Sequence, residues 1–203
     1  MKRLLVATRS IGKLRELRDI LAKSDFSLLD LNEAGIQETA HEGAIECFER
    51  FEENSLAKAR HFYALSGITT VADDSGLSVG ALGGRPGVRS KRYSERPDLS
   101  GRALDDANNA LLLRELENHQ NRSARYVCAA AFIDDDGELV TRGECEGTIL
   151  DVPRGSGGFG YDPYFLSTEL GQTLAEVSRD AKAVVSHRAR AFRALLLALR
   201  SRR

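Results

Sequence analysis

At positions 71–79 the chain reads V-A-D-D-S-G-L-S-V, so two adjacent carboxylates, Asp73 and Asp74, a hydroxyl, Ser75, and a glycine follow an apolar run. Carboxylate oxygen is the donor that hard Mg²⁺ prefers, and a carboxylate beside a metal-activated water can take its proton. The pair can therefore hold a divalent cation and act as a general base; the competing reading is a turn with solvated aspartates. A second candidate is T-R-S-I-G-K at 8–13. A polar turn that opens a helix with Lys13 in its first turn aims N–H groups and a cation at an anion. It is not a Walker A loop, because Ala7 stands at the first glycine and Leu14 follows the lysine where Ser or Thr would hold magnesium. On pattern alone Lys13 also reads as a solvated helix charge. A third candidate is R-G-S-G-G-F-G-Y-D-P-Y-F at 154–165, which formally satisfies G-x-G-x-x-G through Gly155, Gly157 and Gly160. A dinucleotide fingerprint must open a helix, whereas Pro163 disfavours helix at Asp162. Phe159 can instead stack on a flat heterocycle and Asp162 can accept from its ring N–H. His187 and Arg188 fall at the start of the last helix, where cations oppose the macrodipole and ask for an acceptor-rich partner.

The elements that must position these groups follow from periodicity. Residues 4–7 read as a buried strand, and Leu14, Leu17, Ile20 and Leu21 recur at helical spacing after it. Residues 26–31 suit a second strand, and the acidic stretch 33–53 has little clean periodicity. Leu56, Ala59, Tyr63 and Ala64 mark a helix that stops at Gly67. The strand beginning at Thr69 is expected to end at Asp73, since Asp, Asp, Ser and Gly are turn formers; that would put the acids at a strand end, where open α/β sheets bind ligands. Residues 81–88, A-L-G-G-R-P-G-V, read as a long loop, and Leu104, Ala107, Leu111 and Leu112 as a helix to about residue 116. Segments 125–133 and 138–149 flank D-D-D-G, an antiparallel hairpin. Ser178 caps a helical turn that holds Lys182, and Ser186 caps a final helix with the stripe Ala189, Phe192, Leu196, Leu199. Strands alternating with helices define an α/β protein.

Composition narrows the classes. A chain of 203 residues with 42% hydrophobic and 29% charged residues suits one domain, 1–203. A net charge of −1 leaves no general nucleic-acid coat, and the basic clusters at 90–93 and in the last helix are too small for duplex binding. Cys47, Cys128 and Cys145 form no C-x-x-C pair, so neither a disulfide framework nor a zinc site is expected. The apolar run at the N-terminus is too short for a membrane span or signal segment, so a cytoplasmic protein is expected.

Six motifs occur in a specific order: T-x-S-x-G-K at 8–13, F-E-E-N at 51–54, A-D-D-S-G-L at 72–77, G-G-R-P-G at 83–87, G-G-F-G-Y-D-P at 157–163 and S-H-R at 186–188. The series resembles the inosine/xanthosine triphosphate pyrophosphatase family, over about residues 4–199. The resemblance implies an elongated twisted mixed β-sheet flanked by helices, a homodimer, a requirement for Mg²⁺, and hydrolysis of non-standard purine nucleoside triphosphates (XTP, ITP, dITP) to monophosphate and pyrophosphate. It makes Thr8, Arg9, Ser10, Ile11, Gly12 and Lys13 a triphosphate-binding loop, and Asp74 both metal ligand and proton acceptor. Ser75 would touch substrate; Phe159, Gly160, Tyr161 and Asp162 would line the base pocket, with Lys182, His187 and Arg188 closing over base and phosphates. A second metal carboxylate precedes F-E-E-N: gapless counting gives Glu46, while about five extra residues here leave Glu42 open. The chain departs from the family at Ser10, where Asn is usual, and at Arg9, where Gly is common. Arg188 and His187 are expected to donate to O6 of a 6-keto purine and Asp162 or a loop carbonyl to accept from its N1–H, an edge reversed in adenine. Two other readings stay open, a non-catalytic nucleotide-binding module and a pyrophosphatase for modified pyrimidine nucleotides.

Overall fold

The computed structural model describes residues 2–22 and 24–202. Its elements run β1 (Lys2–Val6), α1 (Ile11–Leu21), β2 (Phe26–Asp30), α2 (Phe51–Ser66), β3 (Thr70–Val79), α3 (Gly101–Leu116), β4 (Ser123–Asp134), β5 (Gly137–Ile149), β6 (Phe165–Ser167), α4 (Arg179–Val185) and α5 (His187–Arg200). The six strands form one sheet in the order β2-β1-β3-β4-β5-β6. β1 lies parallel to both β2 and β3, and β6 antiparallel to β5, so the sheet is mixed. The expected hairpin is β4-β5, turning at Asp135 and Asp136.

The chain packs as two compact units, the first comprising the chain up to Asp74, Cys128–Gly143 and the segment from His187 onward, the second Ser75–Val127 and Glu144–Ser186. In the first, side chains of β1 alternate between two apolar layers. Leu4 and Val6 pack with Leu17 and Leu21 of α1, Val71, and Phe192 and Leu195 of α5. Leu5 and Ala7 pack with Ala59 and Phe62 of α2 and with Ala72. Helices cover both faces here, which is why these strands read as continuous apolar runs. In the second unit Leu77, Val79, Leu112, Leu116, Tyr126 and Phe165 form one core, the Tyr126 and Phe165 ring centroids 4.7 Å apart.

Helix ends follow their local chemistry. Ser10 caps α1, its hydroxyl accepting from the Lys13 N–H, and Ser178 caps α4 by accepting from Ala181. Gly67 ends α2 in the left-handed region at φ 62°. Among the described residues no helix is long and apolar enough to cross a membrane.

One expectation is overturned. The strand does not end at Asp73; β3 continues through Asp73, Asp74, Ser75 and Gly76 to Val79. Turn propensity gives way because partners are waiting for both buried acids, as described below, and because Gly76 admits a close neighbour. A Cβ on Gly76 would stand well inside contact distance of the Gly87 carbonyl and the Ser90 hydroxyl. That hydroxyl accepts from Leu77 N–H at 2.8 Å and donates to Gly87 C=O at 2.6 Å, so it has no freedom to retreat. Gly76→Ala should therefore cost about 1–3 kcal/mol of stability through overpacking. Urea unfolding checks this, and an unchanged midpoint would show that the segment yields more easily than its hydrogen bonds suggest.

Candidate active site

The first group of functional side chains lies in the first unit. Successive residues of a strand face opposite ways, so Asp73 shares the side of Val71, toward α1 and α5, and Asp74 the side of Ala72, toward α2. Asp73 is 0% exposed. Its Oδ2 lies 3.1 Å from Lys13 Nζ and 3.1 Å from Arg188 Nε, and the Cys128 thiol points to the same oxygen at 3.9 Å. Arg188, itself 2% exposed, also pairs with Glu16 of α1. From α2, Lys58 Nζ donates to the Asp73 carbonyl at 2.6 Å and pairs with Glu46. Burial opposes ionisation of Asp73, yet Lys13, Arg188 and Lys58 outweigh it and hold the carboxyl well below its ordinary range.

Asp74, 5% exposed, is driven the other way. Burial raises its pKa, Lys13 opposes, and the Glu46 carboxylate raises it again. Two neighbours in sequence thus have opposite protonation tendencies, the pattern by which a locked anion and a base are told apart. Asn54, buried in the first turn of α2, donates to Asp74 Oδ2 at 3.0 Å. The same amide accepts from Phe48 N–H at 2.9 Å and donates to Phe48 C=O at 3.1 Å, tying the segment that bears Glu46 to Asp74.

The choice between Glu42 and Glu46 turns on Arg9. Its guanidinium takes Glu42 in a two-pronged pair at 3.0 and 2.8 Å and also donates to Ile36 C=O at 3.0 Å. The Arg9 hydrogen bond holds the Glu42 carboxyl below its ordinary pKa. Glu42 is thereby engaged by Arg9 and Glu46 by Lys58, and of the two it is Glu46 whose charge Asp74 senses. Among the described residues no three His, Cys, Asp or Glu side chains gather as a metal cage. Two oxygen-donor acids nonetheless fit Mg²⁺, which keeps several waters and takes its other ligands from substrate phosphates.

Elsewhere in the loop at 8–13, Thr8 Oγ1 accepts from Ser10 N–H at 3.2 Å, the Ile11 side chain is exposed and Gly12 is half-buried. Lys13 is not a solvated charge but the partner of Asp73. His187 is buried at the start of α5, and Ser75 is half-buried in β3.

The second group lies in the second unit. The Asp162 carboxylate accepts from Lys182 Nζ at 2.6 Å and from Phe159 N–H at 2.9 Å. Gly158 sits against that carboxylate at φ 71°, where a Cβ would clash. Lys182 Nζ stands 5.0 Å from the centre of the Phe159 ring, a cation-π distance, and the ring is 37% exposed. Tyr161 is buried and its hydroxyl donates to Ser90 C=O at 2.8 Å. Arg188 and Asp162, expected to read a base edge, are both engaged within the protein, Arg188 by Asp73 and Glu16, Asp162 by Lys182 and Phe159. Sequence reasoning missed Glu16, Lys58 and Asn54 as members of the site. Asn54 stood inside a quoted motif, and Glu16 lies three residues beyond Lys13 on one helix face, so those two carried a signal.

Fold and site together define an α/β protein with a mixed sheet, adjacent strand-borne carboxyls of opposite proton affinity and an exposed ring beside a cation. Residues 4–198 match the Ham1 family, and the chain belongs to it. It is 44% identical over 203 residues to a dITP/XTP pyrophosphatase of Ralstonia nicotianae, across 98% of each chain. A dITP/XTP pyrophosphatase of Geobacter sulfurreducens is 47% identical over 196 residues, 95% of this chain and 94% of that one. Among solved structures, a HAM1 protein from Coxiella burnetii matches with a TM-score of 0.85 at 32% identity, over 99% of this chain and 100% of that one. A nucleoside-triphosphatase / dITP/XTP pyrophosphatase from Mycobacterium abscessus matches at 0.73 and 41% identity, over 96% and 98%. The family resemblance carried by the six motifs is borne out, as is the mixed sheet with flanking helices.

Asp73→Asn would leave Lys13 and Arg188 facing a neutral amide, and removing one partner of a buried pair costs about 3–5 kcal/mol. Chemical unfolding at neutral pH should register that loss. Because the fold depresses the Asp73 pKa, its contribution is complete above the unfolded value of about 3.9 and fades as pH falls below it. The gap between wild type and variant should accordingly shrink in acid; a gap that is constant with pH would refute the assignment.

Proposed function

We propose that this chain hydrolyses XTP, ITP and dITP to the nucleoside monophosphate and pyrophosphate, with Mg²⁺, removing them from the cytoplasmic nucleotide pool. The observation that carries the mechanism is the divergence of Asp73 and Asp74, one locked as an anion and the other raised toward a working base. The substrate class is supported by relatives named dITP/XTP pyrophosphatase at 44% and 47% identity across nearly the whole chain.

Asp74 and Glu46 would hold Mg²⁺, whose chemistry when bound is to neutralise triphosphate charge and acidify water. Asp74 takes the proton of the water that attacks the α-phosphorus; the new bond joins that water oxygen to phosphorus as the bond to the bridging oxygen of pyrophosphate breaks. Lys13 and the first-turn N–H groups of α1 meet the phosphates, with Thr8, Arg9, Ser10, Ile11 and Gly12 shaping the loop. Asp73 holds Lys13 at its post, and Arg188 holds Asp73. Phe159 stacks on the base, and Gly160, Tyr161 and Asp162 form the floor of the loop that carries it. Lys182 and His187 keep the cationic roles toward base and phosphates that the family resemblance gives them, and Ser75 its contact with substrate.

A panel of ITP, XTP, dITP, GTP and ATP with Mg²⁺ tests the reading. Pyrophosphate should be the first product, and kcat/KM for ITP should exceed that for ATP by on the order of 10⁴-fold, as unpaired buried edge groups impose. Asp74→Asn should lower kcat by about a hundredfold or more. Orthophosphate as the primary product, or equal use of ATP and ITP, would sink the proposal. The homodimer belongs to the same reading: light scattering should give about twice the 22.3 kDa chain mass, and a monomer at micromolar concentration would count against it.

A further inference from the structure

The conformation of the Phe159 loop is imposed by helix α3. Asp105 and Asn109 are four residues apart on α3 and so share a face. Asp105 Oδ2 accepts from the Gly160 N–H at 2.8 Å, and Asn109 Nδ2 donates to the Gly160 C=O at 3.0 Å. Both polar groups of Gly160 are therefore gripped by one helix. The second N–H of the Asn109 amide goes to the Asp105 carbonyl at 2.8 Å, which fixes the side chain's orientation. Turned this way, Asn109 buries its Oδ1 without a hydrogen-bond partner among the described residues. A buried unsatisfied acceptor is costly. The helix thus accepts a local cost in holding the Gly160 carbonyl.

The grip determines what the loop can present. The Gly160 N–H is taken by Asp105, the Phe159 N–H by Asp162 Oδ2 at 2.9 Å, and the Asp162 N–H by the Phe159 carbonyl at 3.3 Å. With these donors turned inward, the feature that projects is the Phe159 ring, whose plane depends on the peptide linking Phe159 to Gly160. Gly160 itself sits at φ 63° with open space where a Cβ would be. Its backbone conformation is thus held by hydrogen bonds, with no side-chain packing at that position. Burial raises the Asp105 pKa, the Gly160 hydrogen bond opposes that rise, and the Asp162 charge adds to it.

We infer that Asp105 and Asn109 are positioning residues for nucleobase recognition, setting the plane of the Phe159 ring on which a purine stacks. This rests on the proposed function, which makes Phe159 the stacking residue.

The test is a series of purified full-length variants: Asp105→Ala, Asp105→Asn, Phe159→Ala and the double variant Asp105→Ala/Phe159→Ala. Each is followed with ITP in steady-state kinetics, by calorimetric binding of ITP, and by thermal unfolding. Aromatic stacking on a base is strong enough that its loss should raise KM, and the calorimetric Kd, about tenfold. Asp105→Ala should show that rise with kcat within about threefold of wild type. Asp105→Asn, whose amide oxygen can still accept from Gly160, should recover most of the affinity. The double variant should be no worse than Phe159→Ala alone, since Asp105 acts through that ring. Unchanged KM and Kd in Asp105→Ala would overturn the inference, as would additive losses in the double variant or an effect confined to the unfolding temperature. If Asp105→Ala fails to fold, Asp105→Ser carries the same comparison. Binding keeps the two claims apart: ITP bound in an Asp105-dependent way but not hydrolysed overturns the proposed function alone. Normal hydrolysis with an indifferent Asp105 overturns only the positioning role.

Discussion

The arrangement of the first unit depends on one buried charge. The Asp73 carboxylate has no access to water, and an isolated ion there would be prohibitively costly. It is tolerated because Lys13 comes from the first turn of α1 and Arg188 from the first turn of α5, while Lys58 of α2 reaches its carbonyl. Three helices are thus referred to one residue of β3. Buried networks of this kind add little stability over a well-packed apolar substitute. Their effect is geometric: the direction and register of each helix are constrained by where its cation must end. Arg188 is held in turn by Glu16, one turn beyond Lys13 on α1, so α1 and α5 are joined twice. Of the three cations gathered at Asp73, Lys13 is the one most open to solvent, with 18% of its side chain exposed against 12% for Lys58 and 2% for Arg188.

The extended backbone through Asp73 and Asp74 also creates the asymmetry between them. In a solvated turn both carboxylates would face water with similar, ordinary acidity. On a strand covered by helices on both sides, period-two alternation sends one to the cations of α1 and α5 and the other toward Asn54 and the Glu46 segment. Proton affinity is then divided between neighbours by direction alone. The strand is what raises the proton affinity of one and fixes the other as an anion.

Much of the fold was legible because its signals are local. Leu14, Leu17, Ile20 and Leu21 announced α1, the Ser10 and Ser178 caps marked two helix starts, Gly67 marked an end, and D-D-D-G marked the β4-β5 turn. The path of β3 was misread because Asp-Asp-Ser-Gly has strong local turn preference, whereas the forces that override it come from Lys13, Arg188 and Ser90, distant in sequence. The strand order is likewise non-local, and only the family resemblance pointed to a mixed sheet. At the site, residue types nominated Asp74, Lys13 and the glycine loop as candidates. They could not reveal that Arg9 engages Glu42, or that Asn54 bonds to Phe48 and Asp74 at once, since both depend on how an aperiodic segment folds back.

In the proposed function the glycine loop would separate two demands on a nucleotide site. Its N–H groups at Phe159, Gly160 and Asp162 are satisfied within the protein, so it offers a ring face and the Lys182 ammonium 5.0 Å from that ring's centre, not a row of donors. A ring face attracts any base, because every base has a π-face, and it supplies affinity with little discrimination. Discrimination between a 6-keto purine and adenine must then come from a small number of edge contacts, where a mispaired buried donor or acceptor is heavily penalised. A loop with these three donors turned inward is suited to this division. With those donors committed inside the protein, it leaves selectivity to side chains that can differ without disturbing the stack.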